Sequence, residues 1–308
     1  KPIKIIMNLK NLFVISSILS LLNVAQGAFQ IKEEAKKYID ITHDGKTVAR
    51  VMTAYDESTP ESKHETYKVY THIFDKHGKA PITKGAGGAF THHRGIFLGW
   101  SKTRFSGKSV DSWHMKGCVQ VYKKIIDSKA DEKSASLTIL IQWISSDGIV
   151  FIEEERTQVF RNLSDKGLFL EVDLKTTLKA SHAEVELNGD PEHAGCQFRP
   201  SNKVSENKSA KYLFHKEGIN PKKDKDLPWV AESFTIGDES YFVQHMSHPS
   251  IPKGNVYSAY RDYGRFGAYF VDKIEKDNSL NLRYKFLIGK GNLAEREFFN
   301  AQYKNFTE

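Results

Sequence analysis

The chain has 308 residues, 39% hydrophobic and 27% charged, with a formal net charge of +7. Its densest charged run, Lys222-Lys223-Asp224-Lys225-Asp226, is mixed in sign, so no basic stripe tracks a nucleic acid and we expect no nucleic-acid binding. After residue 27 no stretch is long and apolar enough to span a bilayer.

Residues 1–27 read as an export signal with a short upstream extension. Met7 is the expected start, Lys10 supplies the basic region, residues 12–24 are apolar, and Ala25-Gln26-Gly27 is a small-x-small cleavage site. Loss of this segment removes Lys1, Lys4 and Lys10 and lowers the charge from +7 to +4. The expected mature chain is one β domain over 28–308, periplasmic or secreted, with no membrane association after cleavage. Oligomeric state is not legible.

From there the chain alternates. Ile31 to Met52 reads as a hairpin about His43-Asp44-Gly45-Lys46, whose Asp-Gly pair suits a tight turn. Asp56 to Lys63 is polar, contains Pro60 and reads as a loop. Tyr67 to Phe74 reads as a strand. Lys84-Gly85-Ala86-Gly87-Gly88-Ala89 lacks the spacing of a phosphate-binding loop. Further strands are expected over 96–100, 115–126, 137–144 and 149–160. Leu168 to Leu178 is the clearest, because Leu168, Leu170, Val172, Leu174, Thr176 and Leu178 recur with period two, the mark of one buried face. Ser201 to Asp226 reads as a long surface loop, 229–244 as strand around Gly237-Asp238, and 245–269 as loop. Leu280 to Ile288 reads as a last strand. A short C-terminal helix follows, capped by Asn292, with Ala294, Phe298 and Ala301 on one face. Many short strands with turn signals and almost no helix predict an all-β, antiparallel β-sandwich.

Chemistry concentrates in a few stretches. Thr91 to Cys118 holds His92, His93, Arg94, Trp100, Trp113 and His114. Pro191 to Arg199 adds His193, Gln197 and Arg199. His245 and the run Tyr260-Arg261-Asp262-Tyr263 complete the set. Imidazoles suit proton transfer near neutral pH, guanidinium groups fork onto carboxylates or diols, and aromatic rings offer flat apolar faces. We therefore expect His93 and His114 to act as acid or base and to line one pocket with Arg94 or Arg261. Glu155, if buried beside Ile149 and Phe151, and Asp262, Arg261's potential brace, would orient the base. His92, Arg94, Trp100, Trp113, His193, Gln197, Arg199, His245 and Tyr263 would hold the substrate. The histidine spacing matches no zinc motif. No cofactor is expected, although a histidine-bound metal stays an alternative. Cys118 and Cys196 either form one disulfide or remain buried thiols; spacing does not decide.

The ordered motifs T-K-G-A-G-G-A-F-T-H-H-R-G-I-F-L-G-W, W-H-M-K-G, G-D-P-E-H-A-G-C-Q-F-R and Y-R-D-Y-G-R-F-G resemble the PmoA-like family of exported bacterial proteins, often labelled a methane oxygenase subunit. The resemblance runs from about Tyr67 to Gly291. It implies a β-sandwich akin to the galactose-mutarotase supersandwich, and carbohydrate as the partner. It assigns no catalytic residue. The expected function is acid/base chemistry on a sugar: elimination, epimerisation or hydrolysis. A non-catalytic glycan-binding sandwich and a metal-dependent oxygenase are the alternatives.

Overall fold

A computed structural model describes residues 27–308. The proposed export signal lies outside them, apart from Gly27. The first part of the chain gives β1 (Phe29–Glu34), β2 (Tyr38–His43), β3 (Lys46–Met52), α1 (Pro60–Thr66), β4 (Tyr70–Ile73), β5 (Ile96–Trp100), β6 (Lys102–Phe105) and β7 (Lys108–Val110). Long strands follow: β8 (Cys118–Ala130), β9 (Ser134–Ser145), β10 (Val150–Asn162) and β11 (Leu168–Ala180). Then come β12 (Val185–Asn188), β13 (Ala194–Phe198), α2 (Asn202–Asn207), β14 (Lys211–Phe214), β15 (Trp229–Ile236) and β16 (Glu239–Ser247). The chain closes with β17 (Val256–Tyr257), β18 (Phe266–Tyr269), β19 (Asp272–Ile274), β20 (Ser279–Lys290) and α3 (Arg296–Thr307).

Two eight-stranded sheets, β1-β2-β3-β4-β5-β13-β18-β17 and β14-β15-β16-β20-β11-β10-β9-β8, carry the architecture, with a four-stranded sheet β19-β12-β6-β7 beside them. Their strands pair antiparallel. The two large sheets face each other across a core that includes Trp100 against Trp143 and Phe198 against Phe234 and Phe286. The fold is the antiparallel β-sandwich that the strand pattern implies. Period two explains it. Ile96, Leu98 and Trp100 of β5, and Ala194, Cys196 and Phe198 of β13, point into the sandwich. The residues between them point out.

Polar groups also cross the core, and those around Glu154 are paired. Glu154 accepts hydrogen bonds from Arg156 (2.7 and 3.1 Å), Thr176 (2.8 Å) and Trp143 (2.8 Å). Arg156 donates on to the Val69 carbonyl of the other sheet at 3.1 Å. A buried ion pair is tolerated when its remaining bonds are made in this way. Here the sequence reading needs correction. Glu155, which could orient a base only if buried, is exposed, so that role falls. Phe151 and Ile152 are both buried, and the register against β9 shifts between Val150 and Ile152. That bulge moves the alternation by one residue, so Glu154 and Arg156 turn inward and Glu155 turns to solvent.

Other departures are local. Residues 60–66 form a helix, with Thr59 capping it by accepting from the Ser62 N–H and Pro60 in its first turn. The stretch 201–226 contains α2 and β14, and 245–269 contains β17 and β18. The C-terminal helix begins at Arg296, later than Asn292 suggests, and buries Phe299 and Phe306 rather than Phe298 and Ala301. It covers the outward face of the second sheet, against Trp229, Phe242, Met246 and Leu287. Cys118 and Cys196 are free, buried thiols on different sheets, so the disulfide alternative falls. Among the described residues no helix is long and apolar enough to cross a membrane.

Candidate functional site

The outward face of the first sheet carries the histidines. Four loops bring them together: residues 91–94 entering β5, 111–114 between β7 and β8, 190–193 between β12 and β13, and 260–265 between β17 and β18. Two glycines make the approach possible. Gly99 and Gly195 face each other across β5 and β13. A Cβ on Gly99 would lie 2.4 Å from the Ser112 carbonyl oxygen, so only a bare backbone lets the 111–114 loop lie on the sheet. Gly195, at φ +89°, would place a Cβ 1.9 Å from the Ala268 oxygen.

Two of the loops share one construction, Asp-x-x-His. Asp111 accepts the backbone N–H groups of Trp113 (3.1 Å) and His114 (2.8 Å), and also meets Nδ1 of His114 at 2.7 Å. Asp190 accepts the Glu192 N–H at 2.9 Å and meets Nδ1 of His193 at 2.9 and 3.1 Å. A carboxylate only accepts, so each Nδ1 carries the proton and each Nε2 is left as the free edge. The Asp111 carboxyl is pushed up by burial, but its hydrogen bonds from His114 and Trp113 outweigh this and hold it below the usual range. The rings of His114 and His193 lie 5.2 Å apart. Both reach solvent, with side chains 24% and 39% exposed.

His92 packs against His114 with ring centroids 4.3 Å apart and the rings tilted, and meets His93 edge-on at 4.4 Å. Burial, with His114 and Lys68 nearby, lowers His92 to about 3 and keeps it neutral. His93 is buried, and its Nδ1 accepts from Arg199 Nε at 3.2 Å. Burial and the cations around it hold its pKa well below the ordinary value. His93 is thus a fixed neutral imidazole with its proton on Nε2. Phe90 and Tyr263 form an aromatic flap over it, with centroids 5.2 and 6.4 Å from His93 and 4.8 Å from each other. Phe90 is 45% exposed and has φ +51°, an uncommon conformation for a bulky residue.

The remaining expected residues divide. Trp113 is buried beneath His93 and His193, and its Nε1 has no partner among the described residues. Arg199 donates to the carbonyls of Tyr263 and Pro200 and to Ser205, and burial lowers it to about 10. Arg94 lies behind the cluster as a brace, donating to the carbonyls of Thr91, His93 and His64. Gln197 is buried and donates to the Ala194 carbonyl at 2.7 Å. Arg261 pairs with Glu192 at 2.6 Å, not with Asp262, which is exposed and supplies only its backbone carbonyl, to Ala210. Trp100 and His245 belong to the core between the sheets: Trp100 donates to the Phe270 carbonyl at 3.1 Å, and His245 stacks on Phe286.

A shallow groove of about 560 Å³ opens beside His92 and His114, bounded by α1, Thr91 and Met115. A second, about 350 Å³, meets it at Met115 and runs along β8. Among the described residues no group of three or more His, Cys, Asp or Glu side chains is arranged to hold a metal ion. The imidazoles pack ring against ring.

The sequence model of a family of unknown function, DUF6807, matches residues 38–303. The chain belongs to that family. The match runs from β2 through β20 and includes all four loops of the candidate site. No curated protein matches the chain. Among solved structures it is similar to a heparan sulfate lyase HepC mutant from Pedobacter heparinus, at 10% identity and TM-score 0.43, covering 86% of this chain and 37% of that one. It is also similar to the GH36 alpha-galactosidase AgaA from Geobacillus stearothermophilus, at 8% identity and TM-score 0.38, covering 88% and 40%. The chain therefore spans about two fifths of the length of those proteins.

Four residues at the site escape a reading of the sequence. Lys68 is buried and donates from Nζ to the carbonyls of Trp113 (2.6 Å) and His92 (3.1 Å), tying two histidine loops together. Arg265, Glu192 and Phe90 complete the surroundings. Arg265 was legible in principle: it alternates with Phe266 on entry to β18, which turns it outward beside Gln197 and Arg199. Lys68 alternates with Val69 in the same way.

Proposed function

We propose that this chain is a carbohydrate-active protein in which His114 and His193 exchange protons with a bound sugar. The observation that carries this reading is the pair of Asp–His units, whose free Nε2 edges lie on neighbouring, solvent-reaching rings. An imidazole oriented by a carboxylate is a general base near neutral pH and returns the proton as an acid. The exposed Phe90 and the ring of Tyr263 supply faces on which a sugar ring stacks. Neutral His93, fixed by Arg199, offers an Nε2–H donor to a hydroxyl or a developing oxyanion. The reaction is proton removal from, or return to, a sugar carbon or hydroxyl, as in elimination or epimerisation. The motif resemblance supports the finer proposal that this is a PmoA-like member of its family, exported through residues 7–27.

The test is a panel of native and oxidised sugars incubated with the protein in deuterated water and followed by NMR. We expect deuterium incorporation or a new product, reduced about 100-fold or more in His114→Ala or His193→Ala, with binding retained by calorimetry. Binding without exchange or turnover across the panel would instead make this a glycan-binding module.

A further inference from the structure

Arg265 has a buried charge without an adequate partner. It is 1% exposed, and Nε, Nη1 and Nη2 all lack hydrogen-bond partners among the described residues. Its nearest anion is a Glu192 oxygen, 3.4 Å from Nη2. Arg199 is buried too, but all three of its nitrogens donate, to His93, to two carbonyls and to Ser205, and buried Arg94 donates from both terminal nitrogens to carbonyls, leaving only its Nε without a partner among the described residues. A guanidinium removed from water is expected to have its charge paired and its donors filled. The one carboxylate at hand, Glu192, is committed elsewhere. It accepts from Arg261 at 2.6 Å and from Tyr260 at 2.9 Å. Glu232, a buried carboxyl close to Gly264, makes no hydrogen bond among the described residues, and burial raises its pKa well above the usual range.

Resting on the carbohydrate reading above, the geometry points to Arg265 as the binding group for the carboxylate of an acidic sugar, which replaces the Glu192 oxygen on its guanidinium fork. Glu192 precedes His193, so an anion seated on Arg265 places its sugar ring beside one Asp–His unit. Tyr263, whose ring centroid is 6.0 Å from the guanidinium carbon, flanks the same position. A planar fork with free parallel donors matches a carboxylate, which accepts two of them side by side. Glu192 is the gate: its carboxylate bridges buried Arg265 to exposed Arg261, and its release uncovers the fork.

Calorimetry on the full chain tests this with glucuronate and galacturonate, their neutral parents glucose and galactose, and inorganic sulfate. We expect one uronate to bind at least about tenfold tighter than its neutral parent. Arg265→Gln should abolish that preference, and Glu192→Gln should strengthen uronate binding severalfold by removing the competing charge. Equal affinity for uronate and neutral sugar would overturn the assignment while leaving the carbohydrate reading intact. Sulfate binding as tightly as the uronate, and equally dependent on Arg265, would overturn the choice of a carboxylate. Binding of no sugar would sink both readings. Should Arg265→Gln fail to fold, Glu192→Gln decides alone, and unchanged uronate affinity there overturns the inference.

Discussion

His245 shows what burial does to an imidazole that serves no site. It lies between the sheets, 4.4 Å from Phe286 and nearly parallel to it, with neither ring nitrogen hydrogen-bonded among the described residues. Burial alone lowers its pKa to about 3. The unfolded chain holds a histidine near 6.5. Between those values the unfolded state binds the extra proton, so His245 favours the fold above about pH 6.5 and costs stability as pH falls toward 3. His72, lowered to about 4 chiefly by burial, adds in the same direction over a narrower window. Glu232, raised by burial, acts oppositely: the fold is favoured below the ordinary carboxyl pKa and loses that advantage as pH rises. We expect His245→Phe to raise the melting temperature at pH 5 and to narrow the difference between pH 5 and pH 8. Melting curves across that range check it. An unchanged pH dependence would show that the imidazole is not the titrating group.

At the scale of elements, one clamp ties two of the site's loops together. Lys68 leads into β4, and its buried Nζ ties the 92 and 113 carbonyls while lying 4.0 Å over the Phe97 ring. Lys68→Met would keep the volume but leave two buried carbonyls unpaired. We expect it to cost about 1–3 kcal/mol in stability and to weaken ligand binding at the histidines, read by denaturant melts and calorimetry. Most strands were legible in the sequence because their side chains alternate, β11 most plainly. Whether Glu155 is buried was not legible, because a bulge reverses the alternation within β10 and bulges leave no periodic mark. The 60–66 helix did carry its signals, Thr59 then Pro60, but seven residues are too few for a period to emerge. The histidine cluster was half legible. Residue type named His92, His93, His114 and His193, whereas their meeting depends on Gly99, Gly195 and Lys68, whose roles exist only once strands are paired. Arg265 shows the same limit, since an unfilled guanidinium is a property of its surroundings and not of its neighbours in sequence.

At the scale of the whole molecule, the sandwich gives its two outer surfaces different occupants. Helix α3 lies on the back of the second sheet, with Phe299 and Phe306 seated against Trp229 and Phe242. The histidine loops lie on the front of the first. Between them is a continuous apolar core, so the end of the chain at Glu308 and the candidate site are on opposite sides. The consequence is practical orientation. A molecule tethered to a flat support through a short linker after Glu308 presents its imidazoles to the liquid rather than to the support. Sugar affinity measured on such a surface should therefore match that in free solution. A tether through a cysteine placed at exposed Lys116, beside the 560 Å³ groove, should depress it severalfold, so surface plasmon resonance on the two immobilised forms would map the binding face without a ligand-bound structure.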